Sequence, residues 1–400
     1  MLIKRSPVVF LAGNVARFDA TPIKIYEMLR GIAGSLENPL LISFASLRLF
    51  FDSAADRQAR NQFREIGVRY KVIPRIFPVS LLILLFLVIR YKVRLMHTNN
   101  HTAAIHGLLV KKILGIRLIF DYHGAIPEEM VERGRWRPNG LRFRVAKYLE
   151  RKAIIHSDKM FFISRACKDH FQELKPGGNS IVVIPCGIRT ERFYYDRSIR
   201  EKIRRELGIG ERMVITYNGT FAPWAMAGTM ITFFMEVKKI SPLALFLIIS
   251  PTDQALISGQ MIAAGVKRED LLIRNLPHDH VGPLLMAGDL GILFRSRSFI
   301  NHVASPMKFA EYLSCGVPVI ATPGIGDTAG YIQDFQTGFI FDPGNPAGIE
   351  KMIRAVRDSR EDLAFRCSNL AKQEFDLTRF DNLYLNAYAE LLDESDAVMK

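Results

Sequence analysis

The chain has 400 residues, 49% of them hydrophobic and 24% charged. That length exceeds one ordinary core and suits two Rossmann-sized domains, and the composition excludes disorder along most of the chain. Charge is divided unevenly. Residues 1–200 hold 34 Lys/Arg against 16 Asp/Glu, a formal +18, and residues 201–400 hold 20 against 24, a formal −4.

A basic half suits nucleic acid, anionic lipid or a phosphorylated substrate. The sequence has no zinc-finger spacing, no basic region with heptads and no RNP-like aromatic strand, so no nucleic-acid partner is expected. The cysteines (Cys167, Cys186, Cys315, Cys367) form no CxxC pair. That argues against a disulfide scaffold or zinc ribbon and fits a reducing compartment. At the start, Lys4 and Arg5 precede an apolar run that breaks at Gly13-Asn14. The run is shorter than a signal-peptide core and reads as a first strand.

In chain order, apolar runs predict strands at 8–13, 40–46, 70–74, 94–100, 117–124, 159–164 and 180–188. Helical patterns separate them, for example at 102–114 and 141–155, so the first half reads as βαβ units with a parallel sheet. The longest apolar run, 76–89, has Arg75 before it and Arg90, Lys92 and Arg94 behind. A spanning helix needs roughly 20 apolar residues, so this one is too short to cross a membrane. Pro78 suits a first helical turn. Two readings stay open: a helix buried on the sheet, or one lying in the membrane interface with its basic collar on lipid phosphates. A second basic stretch, from Arg133 to Lys152, reads as a solvated helix face, with docking on anionic lipid as the rival. His97, His101 and His106 read as cleft or surface polar residues.

Residues 189–210 are polar and carry no strand, as a linker ending in a short helix would be. The pattern then restarts, with strands at 213–219, 243–250, 271–276, 290–295, 317–322 and 337–342 and a helical tail from 345 to about 393. The expected architecture is α/β: two Rossmann-like, doubly wound domains facing across a cleft. They occupy 1–190 and 211–375, joined by a linker at 191–210. A last helix at 376–400 is a candidate to cross back to the first domain. Ligands bind at the carboxyl ends of strands in such sheets, which puts the site in the cleft. Gly13 and Asn14, after the first strand, are acceptor-side candidates, with a plain strand-to-helix turn as the alternative.

The most informative stretch runs from Arg295 to Ile332 and contains Ser305-Pro306 before a helical pattern carrying Lys308 and Glu311. Ser305 is expected as N-cap with Pro306 in the first turn, and Gly316 as the residue that ends the helix. A helix N-terminus is a ready phosphate site, Lys308 adds a full charge there, and Glu311 could accept from a ribose diol. A surface Lys–Glu pair at i, i+3 is the bland alternative. His278-Asp279-His280 suggests N-capping rather than a metal site, because adjacent residues at a helix start diverge. No GxSxG, P-loop or HExxH is present, which removes hydrolase and kinase readings.

SPMKFAEYLSCGVPVIA (305–321) resembles the donor-site signature S-P-x-K-x-x-E-Y-L-x-x-G-x-P-V-I-A of the retaining GT-B glycosyltransferases of family 4. IPCGIRTERF (184–193), YNGTFAPW (217–224), LPHDHVGPLLMAGDLGILF (276–294) and DYHGAIPEE (121–129) are similar to further segments of that family. The resemblance runs from about Leu118 to the C-terminus. It implies transfer of a sugar from a nucleoside diphosphate to an acceptor hydroxyl, with retention and without a metal or other cofactor. It also implies roles. Glu311 would bind ribose; Lys308, Ser305, Pro306 and the helix amides would hold the diphosphate. His123 would face the donor sugar and Arg295 would act as a second cation, with Gly219, Gly324 and Gly326 in donor-side turns.

The sequence departs from the family in two places. Val303 stands where the first glutamate of an E-x7-E pair is common, and the loop GTFAPWAMAG (219–228) lacks the usual basic pair. No DxD occurs. The expected partners are a nucleotide sugar, a lipid-linked or saccharide acceptor and an anionic membrane surface, on the cytoplasmic side. A nucleotide-sugar epimerase of the same fold and a binding protein without catalysis are the alternatives.

Overall fold

The computed structural model describes residues 7–13, 20–45, 53–175, 180–221 and 226–398. Asn14 lies outside them. The chain divides into two compact units, Met1–Pro185 with Leu377–Lys400, and Cys186–Asp376.

Among the described residues the first unit holds seven strands: β1 (Val8–Ala12), β2 (Leu40–Ala45), β3 (Arg69–Pro74), β4 (Leu95–Asn99), β5 (Arg117–Tyr122), β6 (Lys159–Phe162) and β7 (Ile181–Val183). They pair in parallel in the order β3-β2-β1-β4-β5-β6-β7. The second unit holds β8 (Val214–Asn218), β9 (Leu245–Ile249), β10 (Leu271–Arg274), β11 (Leu290–Leu293), β12 (Val319–Ala321) and β13 (Gly338–Ile340). Their order is β10-β9-β8-β11-β12-β13, again parallel throughout. Every strand expected from an apolar run forms. Strand order reverses beside β1 in one sheet and beside β8 in the other, and the crevice at such a reversal is where α/β sheets bind ligands.

Both faces of each sheet are covered, which is why these strands read as apolar runs rather than alternations. Along β1, Val8 and Phe10 pack with Leu29 and with Phe380, Tyr384, Tyr388 and Leu391 of the C-terminal helix. Val9 and Leu11 face the other way, onto Leu84, Val88, Ala103 and Val110. Helix Leu377–Val398 therefore belongs to the core of the first unit although it follows the second in sequence.

Three histidines differ from expectation. His97, His101 and His106 are all buried rather than lining a surface. Each is tolerated because it has polar partners: His97 Nδ1 lies 2.7 Å from the Tyr388 hydroxyl, and His101 Nε2 lies 2.5 Å from Glu150 Oε2. His106 bridges Ser80 Oγ at 2.9 Å and the carbonyl of Thr102 at 2.8 Å.

The buried reading of the apolar run at 76–89 holds for one side of the helix. Helix Val79–Arg90 buries Ser80, Leu84, Leu87 and Val88 on the sheet. Its opposite side exposes Leu82, Phe86 and Ile89 by 64%, 64% and 62%, with Phe77 and Val79 beside them. No helix among the described residues is long and apolar enough to cross a membrane. In the basic stretch, Arg142, Arg144 and Arg151 of helix Leu141–His156 are exposed, whereas Lys147 turns inward to pair with Glu128 and Glu150.

In the second unit an ionic knot ties the amino ends of β8 and β11. Asp289 is buried, meets Arg200 at 2.5 Å, Arg204 at 3.2 Å and Arg360 at 3.5 Å, and accepts from the Val214 amide at 2.8 Å. Arg200 and Arg204 stand on helix Arg197–Glu206, so this polar segment is anchored to the sheet it precedes.

Candidate functional site

The second unit assembles its polar cluster at the carboxyl end of β8. Helix Met307–Ser314 starts one residue after Pro306, which holds the cap position with φ −71° and ψ 118°. Ser305 does not cap this helix as expected. Pro306 takes the extended conformation at the boundary, which leaves Ser305 one position outside, and the Ser305 hydroxyl accepts from the Cys186 amide at 2.9 Å. Of the first-turn amides, that of Phe309 donates back to the Pro306 carbonyl at 3.0 Å, and those of Met307 and Lys308 precede any intrahelical acceptor, as at any helix start. Gly316 ends the helix as expected, with φ +66°.

Lys308 lies in the first turn and lies along Tyr217. Its Nζ is 4.4 Å from the ring centroid and 3.3 Å from the hydroxyl, a cation–π contact with a hydrogen bond. Gly219 follows immediately after β8 with φ +126°, and a Cβ there would stand 2.7 Å from Lys308 Nζ. Only glycine allows both that backbone and that approach. Burial lowers the Lys308 ammonium to about 7; the Arg295 guanidinium adds to the effect and Glu311 opposes it.

Glu311, one turn further on, is 4% exposed, so the surface-pair reading fails. Its Oε2 accepts from Asn218 Nδ2 at 2.6 Å and its Oε1 from His278 Nε2 at 2.8 Å. The neighbouring Tyr312 hydroxyl accepts from the Asn218 amide at 2.7 Å, which locks the strand end to the helix. His278 thus has a different task from the one expected. Residues 278–280 form a short turn before helix Val281–Met286, and no side chain caps that helix. Among the described residues no group of three His, Cys, Asp or Glu is gathered as a metal site.

Arg295 follows β11. Its amide donates to Thr322 Oγ1 at 2.9 Å and its Nη1 to Asn301 Oδ1 at 3.1 Å. The Gly326 amide donates to the Asn301 carbonyl at 3.0 Å, and both Gly324 and Gly326 have positive φ. The structure therefore joins Gly326 to Arg295 through Asn301, and joins Gly219 to Glu311 through Lys308 and Asn218.

In the first unit, Gly13 closes β1 and its carbonyl accepts from Ser43 Oγ at 2.7 Å. His123 follows β5. Its Nε2 donates to Asp121 Oδ2 at 2.7 Å, and Lys24 Nζ donates to its Nδ1 at 3.1 Å. Burial lowers the His123 imidazole, with Asp121 opposing. Burial alone would raise the Asp121 carboxyl, but His123 and Lys24 outweigh it and hold it well below the usual carboxylate range.

Sequence reasoning did not single out Tyr217, Asn218, Lys24 or Asp121. Only Asp121 left a signal, since Asp121 and His123 stand two apart at a strand end and so point to one face.

Two family models match. The one described as Glycosyltransferase Family 4 covers residues 46–192, and the one described as Glycosyl transferases group 1 covers residues 199–374. A GDP-mannose-dependent alpha-(1-6)-phosphatidylinositol monomannoside mannosyltransferase from Mycolicibacterium smegmatis is 23% identical over 209 residues. That alignment takes in 50% of this chain and 52% of the relative, so about half the length of that curated protein is matched. Among solved structures, Anabaena HepE in complex with UDP and glucose superposes with a TM-score of 0.73 at 16% identity, covering 96% of this chain and 100% of that one. Sucrose-phosphate synthase from Thermosynechococcus elongatus gives 0.73 at 14% identity, covering 98% and 100%. At such identities the likeness establishes the fold.

Proposed function

Since this chain belongs to the group 1 glycosyltransferases, we propose that it moves a sugar from a nucleoside diphosphate sugar to an acceptor hydroxyl with retained anomeric configuration. The product would be a polysaccharide or a lipid-linked glycan. The observation that carries this reading is the placement of Lys308 and Glu311 on one helix start, against the carboxyl end of β8.

Each residue type suits its task. Cleavage of the bond between the anomeric carbon and the diphosphate leaves negative charge on the leaving group. Lys308, Arg295 and the amides at the start of helix Met307–Ser314 oppose that charge where it grows. A diphosphate arriving beside Lys308 draws a proton onto an amine whose pKa lies at about 7, so binding completes the charge it needs. Glu311 is fixed by Asn218 and His278, and its oxygens keep lone pairs for a ribose diol. These cations take the place that a DxD-bound metal fills elsewhere. Relatives named for UDP, UDP-glucose and GDP-mannose support a nucleotide-sugar donor.

The experiment is turnover of the matching nucleotide sugar with lipid and saccharide acceptors, followed by NMR of the product anomer. Retained configuration and full activity in EDTA are expected. Loss in EDTA that only Mg²⁺ or Mn²⁺ restores, or an inverted product, would overturn the reading; epimerised donor formed without acceptor would favour an epimerase.

The acceptor side is proposed to dock on anionic lipid. Leu82, Phe86 and Ile89 form one exposed stripe of helix Val79–Arg90, and Arg75, Arg90 and Lys92 stand exposed at its ends. Such a helix buries its apolar face at the headgroup boundary while the cations meet phosphates. The protein is expected to sediment with anionic liposomes at low salt, to detach partly at high salt and to bind less as Phe86→Asp. Equal sedimentation with neutral and anionic vesicles would contradict the electrostatic part.

A further inference from the structure

In the first unit a row of polar side chains runs from helix Ala20–Ile32 through the sheet to the C-terminal helix: Lys24, His123, Asp121, His97 and Tyr388. The successive separations are 3.1, 2.7, 3.4 and 2.7 Å. Elementary donor–acceptor chemistry fixes the protons in this row. A carboxylate only accepts, so the His123 Nε2 facing Asp121 carries hydrogen; an ammonium only donates, so the Nδ1 facing Lys24 is a bare lone pair. His123 is therefore neutral, in one tautomer, with both ring nitrogens engaged. Its ring has no N–H left for a ligand.

Lys24 is in the opposite position. It is 7% exposed, and among the described residues its ammonium, with three N–H bonds, makes one hydrogen bond, to His123. A buried ammonium with unmet donors is costly unless something else accepts from it. The helix carrying Lys24 follows β1, and Asp121 and His123 stand at the end of β5, so the group lies at the carboxyl edge of the sheet where ligands bind.

We propose that Lys24 is a sugar-binding residue of the first unit, donating one N–H to His123 Nδ1 and another to a hydroxyl of the substrate sugar. His123 and Asp121 are then positioning residues, and so are His97 and Tyr388 behind them. The Lys24 and Asp121 charges cancel across a neutral ring, which suits an uncharged hydroxyl better than a phosphate. The proposal rests on the reading of this chain as a nucleotide-sugar transferase, and it amends the expectation that the His123 ring itself meets the sugar.

The test uses the intact chain with UDP and UDP-glucose and with GDP and GDP-mannose. Lys24→Met is expected to lower kcat/KM for donor cleavage at least tenfold while the Kd for the free nucleoside diphosphate stays within a factor of two. A kcat/KM within a factor of two of wild type would overturn the proposal. So would a parallel loss of nucleoside diphosphate affinity, because that marks general distortion. A second measurement needs no variant. In ¹⁵N-histidine NMR of the wild type, His123 should carry its proton on Nε2 both free and with the nucleotide sugar bound. A bound-state proton on Nδ1 would mean that the ring makes the contact and would refute the role of Lys24. If neither nucleotide nor nucleotide sugar binds the wild type, the transferase reading fails first, and that outcome is distinct from both of these.

Discussion

Replacing Lys308 by alanine is expected to lower kcat at least about 10²-fold, the usual scale for losing one electrostatic stabiliser of a transition state. The interaction strengthens as charge moves onto the leaving diphosphate, so its loss shows in kcat rather than in KM alone. The contact of Lys308 with Tyr217 and Gly219 at the end of β8 places the charge in a tight setting that a shorter side chain would not reach. The same setting gives a pH signature. Lys308 titrates near 7 in the free protein, charged below and neutral above, so kcat/KM for the donor should fall as pH rises through about 7. Lys308→Arg should push that fall to higher pH, because a guanidinium keeps its proton. Steady-state kinetics across pH on the three proteins checks both points. A kcat for Lys308→Ala within a factor of three of wild type would make the helix a structural element only.

The second large effect concerns stability. Asp289→Ala should destabilise the second unit by about 3–5 kcal/mol, the cost of leaving buried charge without its partner. Arg200, Arg204 and Arg360 would face one another with no carboxylate between them, and the Val214 amide would lose its acceptor. Burial alone would raise the Asp289 carboxyl, but the three guanidiniums outweigh it and hold it below the usual range. A depressed folded pKa means stability that is present above the unfolded value near 4 and lost as pH falls below it. Urea unfolding at neutral pH and at about pH 3 should therefore show a gap between wild type and variant that narrows in acid. An equal gap at both values would assign the loss to packing instead.

How much was legible in the sequence follows from how local each feature is. The thirteen strands of the described residues could be read because a parallel strand covered on both faces is an unbroken apolar run. Lys308 and Glu311 could be read because they share one short helix. Their partners could not: Asn218 is 93 residues from Glu311 and His278 is 33 residues away. The same holds for His97, whose hydrogen-bond partner Tyr388 is 291 residues on, so a histidine that reads as a cleft or surface polar residue is a core group bonded through Nδ1. Ser305 misled for a local reason. The serine-proline pair fits two cap registers, and the extended ψ of Pro306 selects the later one. The run at 76–89 left two readings open, since it is apolar on nearly every side and only packing reveals which side the sheet leaves uncovered.

The most direct test of the central claim, a nucleotide-sugar site built on Lys308 and Glu311, is calorimetric titration of wild type and Glu311→Gln with UDP and with GDP. Glu311 grips a ribose remote from the reacting carbon, so the effect of its amide variant should show in nucleotide binding itself. The account predicts that one of the two nucleotides binds the wild type, and that Glu311→Gln weakens it by about 1–3 kcal/mol, roughly 5- to 150-fold. Equal affinity in the two proteins, or no binding of either nucleotide to the wild type, would contradict it.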